Sequence, residues 1–336
     1  MVLVTGGTGL VGSHLLLKLA MQNVPVRAIY RSVEKLEQVK KTFSYYTTNV
    51  TALYDKIDWV QGDILDIPSL DDAFQNVTHV YHCAALISFS PSDFNILDRV
   101  NREGTANIVN MCIAKNVQKL CYVSTIGTIG RTSTSLAADE ETEFNRQFAN
   151  PYAITKHLAE MEVWRGAQEQ IQVVIINPGV ILGPGYWENG SGSFFKTAHK
   201  NYSYYPPGGS GFVAVADVTA IMVQLMNTDI HGERYIVVAS NNTYKEVLEM
   251  ISRAMNKKAP YKKLQPWQLQ IGKYLDLLRH LLTGKPRTIT HSTIHGLLHP
   301  TTFDSSKIIK TLDYTFEPLE NSITFSSRIF MKEHAE

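Results

Sequence analysis

The chain has 336 residues, 44% of them hydrophobic and 19% charged, with a formal net charge of +1. This is the balance of a globular enzyme with room for one large domain or two joined ones, and the near-neutral charge gives no basis for binding nucleic acid or an anionic membrane surface. The three cysteines, Cys83, Cys112 and Cys121, have no CxxC spacing and read as small buried hydrophobes in a reducing compartment; with a strand starting at Met1 and no apolar run long enough to span a bilayer, the expected location is the cytoplasm.

Residues 1–5 are an apolar run of the kind a buried parallel strand needs. Gly6-Gly7-Thr8-Gly9-Leu10-Val11-Gly12 follows, and then an apolar-periodic helix through Leu15, Leu16, Leu17, Leu19 and Ala20. The string reads as GxxGxxG from Gly6 or as GxGxxG from Gly7. Between a strand and a helix it makes a cradle for a pyrophosphate. The first glycines allow the tight turn, Gly9 lets the backbone approach the phosphates, and Gly12 lets helix and strand pack closely.

Strand and helix patterns then alternate. Strands are expected at 24–30, 57–60, 79–83, 120–124 and 173–177, with helices from Ser32, over 69–74, over 96–115 and from Pro151, where proline suits a first helical turn. The polar stretch 43–54 reads as a surface insertion. Strands spaced by helices imply a doubly wound parallel sheet, with ligands beyond the carboxyl ends of its strands. After Pro178 the texture changes: Gly, Pro and aromatic residues crowd 183–211. Tyr186, Trp187, Phe194, Phe195, Tyr204 and Tyr205 are expected to wall an apolar pocket. Asp217 is expected to cap a helix through Asn227, 234–239 reads as another strand, and Thr243 opens a helix. An amphipathic helix over 267–282 is expected to pack on the sheet or cover the substrate, its weakly basic polar face arguing against a membrane.

Tyr152 and Lys156 stand four residues apart on a helix and so share a face. A free tyrosine titrates near pH ~10. A neighbouring ammonium, with the positive nicotinamide ring nearby, stabilises the phenolate and lowers that value, which lets the tyrosine exchange a proton with a carbonyl or an alcohol. A third group should hydrogen-bond the substrate oxygen. Ser124 and Thr125, at the end of a strand and on opposite faces of it, both carry the hydroxyl needed.

These stretches together, TGGTGLVG at 5–12, GDILD at 62–66, HCAALISF at 82–89, VNREGTANIV at 100–109, YVSTIGTIG at 122–130, YAITK at 152–156 and INPGVILGPG at 176–185, resemble an extended short-chain dehydrogenase/reductase. That is the NAD-dependent epimerase/dehydratase superfamily, and the likeness is greatest to its branch of dihydroflavonol reductases and hydroxysteroid dehydrogenases. The resemblance covers most of the chain and is loose towards its C-terminus. It implies a Rossmann-type sheet domain over 1–180, to which 212–240 returns, and a smaller, mostly helical substrate domain from 181–211 and 241–336. It also implies Thr125 rather than Ser124 as the catalytic hydroxyl, counting back from Gly130, with Tyr152, Lys156 and Asn101 completing the set. Asp63 would accept from the adenine amino group with Ile64 beside it. Ala84, Ala85 and Leu86 would line the cofactor, Pro178, Gly179 and Val180 would contact the nicotinamide, and Lys156 would also hold its ribose. A homodimer through the helices at 96–115 and 151–169 is implied as well.

The dinucleotide signature usually ends its second strand in an acid that holds the ribose hydroxyls. Here Tyr30-Arg31-Ser32 stands there. Arg31, helped by Ser32 and Lys35, suits a 2′-phosphate, so NADP(H) is expected ahead of NAD(H). No metal is expected at His291, His295 and His299, because Gly296 and Pro300 interrupt one long helix there and the implied chemistry needs none. Ile126-Gly127 replaces the Asp-Glu pair of sugar 4,6-dehydratases. No arginine motif for a nucleotide diphosphate follows Arg279, and Ala214 and Ala216 replace a usual histidine and acid. The expected activity is therefore reduction of a small apolar or aromatic ketone or aldehyde, or oxidation of the alcohol; the alternative is an NAD-dependent nucleotide-sugar epimerase. A small-molecule substrate is expected, with neither nucleic acid nor membrane as partner.

Overall fold

The strands, in chain order, are β1 (Val2–Thr5), β2 (Val26–Tyr30), β3 (Ile57–Gln61), β4 (His79–His82), β5 (Lys119–Val123), β6 (Gln172–Pro178), β7 (Val180–Leu182), β8 (Tyr204–Tyr205), β9 (Gly209–Ala214), β10 (Glu233–Val237), β11 (Ser240–Thr243) and β12 (Lys262–Lys263). They come from a computed structural model that describes residues 1–130, 137–188, 190–284, 287 and 289–335, without the side chains of Phe148, His291 and Ser292. One seven-stranded, all-parallel sheet runs in the order β10-β6-β5-β4-β1-β2-β3. The chain order reverses between β1 and β4, and that crevice is where a doubly wound sheet binds its ligand.

The helices are α1 (Leu10–Met21), α2 (Glu34–Ser44), α3 (Val50–Tyr54), α4 (Ile67–Ala73), α5 (Phe94–Leu97), α6 (Gly104–Ala114), α7 (Pro151–Gln168), α8 (Gly192–His199), α9 (Val215–Met226), α10 (Tyr244–Ala254), α11 (Pro266–Thr283), α12 (His291–Leu298), α13 (Ser306–Leu312) and α14 (Leu319–Glu333). Period-two alternation sends consecutive strand residues to opposite faces of the sheet. Val4, Val174 and Ile176 meet Leu15, Leu16 and Leu19 of α1 and Ile221 and Met222 of α9. Leu3, Val173 and Ile175 meet Ile108 and Cys112 of α6 and Ala159 and Val163 of α7. Both faces are covered, as an all-parallel sheet requires. A separate apolar cluster joins Trp187, Phe195 of α8, Phe212 of β9, Val247 and Ile251 of α10, and Ile323 and Phe330 of α14. A three-stranded sheet, β11-β9-β7, links it to the main sheet.

Several expectations are corrected. The stretch 43–54 is not a surface insertion: Phe43 and Leu53 are buried, α3 lies within it, and Tyr45 donates to Glu333 of α14. The expected helix over 96–115 is broken by a π-helical stretch, Asp98–Glu103, between α5 and α6. Asp217 lies inside the first turn of α9, whose cap is Ala214; its carboxylate accepts from the Tyr314 hydroxyl at 2.7 Å. Of the aromatic residues expected to wall a pocket, Trp187 and Phe195 belong to the buried cluster with Phe330. Phe194 stacks on Tyr244, and Tyr204 and Tyr205 form β8 beside the lysines of β12. The helix expected over 267–282 exists as α11, but its apolar stripe faces solvent, not the sheet.

Candidate active site

The loop after β1 is shaped by its lack of side chains. Gly6 takes a φ of +69°, and a Cβ there would lie 2.6 Å from the backbone nitrogen of Ala84. A Cβ on Gly12 would collide with the carbonyl of Gly6, so this glycine lets α1 seat against the strand. The Gly6 carbonyl instead accepts from Gly9 N at 3.0 Å. Gly9 is the helix cap, without a side chain to satisfy the first turn, and a Cβ there would meet only the Gly6 carbonyl, at 3.4 Å. The first N–H groups of α1, at Leu10, Val11 and Gly12, are thus presented to an anion. The carbonyl of Thr8 accepts from the Tyr186 hydroxyl at 3.0 Å. This cradle fits the pyrophosphate of a dinucleotide.

The second cofactor-side wall is the turn after β4. Ala84 N donates to Thr5 Oγ1 at 3.3 Å. Leu86 is clamped at both backbone groups by the Asn101 amide, through Oδ1 at 2.8 Å and Nδ2 at 3.0 Å. Asn101 Nδ2 also donates to Thr155 Oγ1 at 3.0 Å. Asn101, in the π-helical stretch, thereby ties this turn to α7. Beneath it a buried chain runs from Thr5 to His82 Nδ1 at 2.6 Å, and from His82 Nε2 to Thr105 at 2.9 Å. Burial, with the nearby Lys156 charge, pulls His82 down to about 3, so it stays a neutral linker. Gly104 leaves room for Ile64, whose side chain packs where a Cβ would be. At the far end Pro178 closes β6, Gly179 packs against the Gly211 carbonyl, and Val180 pairs with Phe212.

Tyr152 and Lys156 are set by the start of α7. Asn150 caps it, its Oδ1 accepting from Ala153 N at 2.8 Å, with Pro151 in the first turn. The Tyr152 ring stands edge-on to Phe89, with centroids 6.2 Å apart, and its hydroxyl has no protein partner among the described residues. Burial pushes this phenol up from its ordinary value. Lys156 is 1% exposed; its Nζ donates to the Val123 carbonyl at 2.8 Å and lies 4.1 Å from the centre of the Tyr122 ring. Burial pulls Lys156 down to about 7, against the opposing pull of Glu160. Without a nicotinamide bound, burial dominates and favours the protonated phenol, the form a proton donor needs.

Ser124 and Thr125 are separated by strand alternation. Ser124 is buried and donates to Glu160. Thr125 is partly exposed, its Oγ1 accepting from Gly127 N at 3.1 Å. Glu160, unforeseen in the sequence, is fully buried. One oxygen accepts from Ser124, from Thr128 Oγ1 at 2.7 Å and from Asn177 Nδ2 at 2.7 Å; the other lies 3.7 Å from Arg234. Thr128 Oγ1 also lies 2.8 Å from the Thr125 carbonyl, its one proton serving either that oxygen or Glu160, and Asn177 Nδ2 donates to the same carbonyl at 3.2 Å. The signal was there: Glu160 stands four residues beyond Lys156, on the same helix face. Beside Thr125, Ile126 and Gly127 line a solvent-open cleft of ≈ 130 Å³, with Ile129, Phe144, Tyr244 and Phe303 among its other walls.

At the adenine end, Arg31 is 57% exposed and pairs with Asp63 at 3.7 Å. The Ser32 hydroxyl is given to Glu34, so Ser32 points its donor at a carboxylate. Of the three histidines, His295 and His299 have ring centres 4.7 Å apart, and the His291 side chain lies outside the described residues.

A glycine cradle at a topological switch point, with a tyrosine and a lysine one turn apart beyond it, defines a Rossmann-type nucleotide-dependent oxidoreductase. Residues 2–239 match the NAD dependent epimerase/dehydratase family, to which the chain belongs. It is an NAD(P)-dependent enzyme of the short-chain dehydrogenase/reductase type. A sterol demethylase protein B from Methylococcus capsulatus is 28% identical over 273 residues, spanning 80% of this chain and 78% of its own. A putative dihydroflavonol 4-reductase from Synechocystis sp. is 28% identical over 273 residues, spanning 79% and 75%. The crystal structure of gox2253 superposes over 99% of this chain and 98% of its own with a TM-score of 0.82 at 24% identity, a likeness of fold.

Proposed function

We propose that the chain is an NADP(H)-dependent carbonyl reductase, or the corresponding alcohol dehydrogenase, for a small apolar or aromatic substrate. The observation that carries this reading is the Tyr152 hydroxyl, edge-on to Phe89 and without a protein partner among the described residues, together with the cleft beside Thr125, whose mixed walls include Ile126, Ile129, Phe144 and Phe303. Thr125 Oγ1 hydrogen-bonds the carbonyl oxygen and orients it. Tyr152 gives that oxygen a proton as negative charge develops on it. Lys156, poised near neutrality, stabilises the resulting phenolate, and Glu160 holds the Thr125 backbone through Thr128 and Asn177. A bound nicotinamide supplies the hydride, or takes it in the reverse direction. The names of two relatives, a sterol demethylase protein and a dihydroflavonol 4-reductase, support an apolar or polycyclic substrate class.

Arg31 supports the phosphorylated cofactor: it is exposed at the end of β2, where an acid would have held the ribose hydroxyls. The test combines two variants with a panel of aryl and alicyclic ketones. Tyr152→Phe lowers kcat with NADPH by about 10²- to 10⁴-fold and leaves nucleotide affinity, read by fluorescence titration, unchanged. Arg31→Ala weakens NADPH about tenfold and NADH little. Full turnover by Tyr152→Phe defeats the reaction; equal losses for both nucleotides defeat the cofactor assignment.

A further inference from the structure

Helix α11 is inside out. At about 100° per residue, Trp267, Ile271, Tyr274, Leu278, Leu281 and Leu282 fall on one stripe, and each is at least half exposed, Leu282 to 77%. The residues of α11 that are buried, Leu269 and Asp276, lie on the opposite side. Asp276 is held there by Arg279 at 2.7 Å and by the backbone nitrogen of Ile289 at 3.0 Å. The helix thus turns its acid inward and its leucines outward.

The surrounding charge is as lopsided. Between Glu249 and Asp304 the sequence holds nine lysines and arginines and one acid, Asp276, a net +8; since the whole chain carries +1, the remainder carries −7. Lys262 and Lys263 form β12 just before α11, with Lys262 near the exposed rings of Tyr261 and Tyr204, 5.5 and 5.7 Å from their centres. Lys262 and Lys263, beside these rings, directly precede the leucine stripe in the chain, and lysines, amphipathic aromatic rings and leucines together are what the interface of an anionic bilayer accommodates. The stretch after α11 is tied to the active-site loop, Arg287 N donating to the Ser90 hydroxyl at 3.2 Å. Next to Ser90 stands half-exposed Phe89, the ring packed on Tyr152.

We infer that α11 and β12 form a docking surface for an anionic lipid bilayer. The chain lies on the bilayer: no helix among the described residues is long and apolar enough to cross one. This departs from the expectation of no membrane partner, which rested on the charge of the chain as a whole and on the weakly basic polar face of this helix. The α11 face and Phe89 then put the mouth of the active site next to the lipid.

The test needs no turnover, so it stands or falls apart from the proposed reaction. The full chain is floated with phosphatidylcholine vesicles and with vesicles containing about 30% phosphatidylglycerol, at low salt and at about 0.5 M salt. It is expected to float with the anionic vesicles at low salt and to stay behind with neutral ones or at high salt. Leu281→Glu/Leu282→Glu and, separately, Lys262→Glu/Lys263→Glu each lower the bound fraction about tenfold with the melting temperature unchanged. The two pairs lie on separate elements, so misfolding of one leaves the other decisive. No association with anionic vesicles, equal binding to neutral ones, or binding untouched by both pairs overturns the inference. So does a dimer that Leu281→Glu/Leu282→Glu splits while no vesicle is bound, which would assign the face to a second copy.

Discussion

In the sheet, Leu3, Val80, Leu120 and Val173 are wholly buried, and the charged groups beside them, Lys119, Lys156 and Glu160, are buried too, each bonded to a fixed partner. On α11 the same kinds of residue are sorted the other way. Leu281 and Leu282 stand 72% and 77% exposed, and the single acid is the group turned inward. Both regions are amphipathic; they differ in what lies opposite the apolar side. The strands find helices on both faces, whereas the α11 stripe finds none among the described residues. Amphipathic periodicity fixes that an element has two faces, and the availability of a partner surface decides which one turns in.

The sharpest way to press the comparison is at a buried charge. Glu160→Leu leaves the Ser124, Thr128 and Asn177 donors without their acceptor and is expected to cost about 3–5 kcal/mol, read by urea unfolding; Glu160→Gln, which keeps an acceptor, costs less. The fall in kcat should follow the same order, because the Thr125 carbonyl hangs on Thr128 and Asn177. Next come two leucines. Leu16→Ala in the core is expected to lose about 3 kcal/mol, and Leu282→Ala about 0.5 kcal/mol or less. A comparable loss at Leu282 would break the comparison, since it would mean the stripe is packed in solution.

A separate effect is one of pH. Burial lowers His82 to about 3 and His14 to about 4 from 6.5. Below the ordinary value the unfolded chain binds protons that the folded chain refuses, so folding stability falls as pH drops from about 6.5. Each histidine contributes a slope of up to about 1.4 kcal/mol per pH unit. His82→Gln should flatten the measured slope between about pH 7 and about pH 5 by roughly one proton's worth. An unchanged slope would mean that His82 is not held neutral.

Much of this was readable from the chain. The strands were, because an all-parallel sheet needs nearly continuous apolar runs. The cradle was, because only glycines fit its contacts with Ala84 and with the turn itself. The Tyr152–Lys156 pair was fixed by helix periodicity. What escaped depends on partners distant in sequence. Glu160 gains its role only where β6 brings Asn177 against it. The stretch 43–54 looked polar because its tyrosines pair with groups on other elements, His14 at 3.0 Å and Glu333. The aromatic run from Tyr186 to Tyr205 was read as one wall, yet α8 distributes it over a buried cluster, the glycine loop and a small sheet. The outward stripe of α11 was invisible because no periodicity carries a direction.

Glu333 illustrates a further property. Its carboxylate accepts from Tyr45 of the N-terminal half and from Trp187 Nε1 at 2.8 Å, and pairs with Lys41 at 3.0 Å. The link to Tyr45 spans 288 positions of chain. Closing so long a loop is entropically costly before the intervening elements are in place, so this knot belongs late in the order of assembly. Trp187, an indole bonded directly to it, is a built-in fluorescent clock for the moment at which the two ends of the molecule meet.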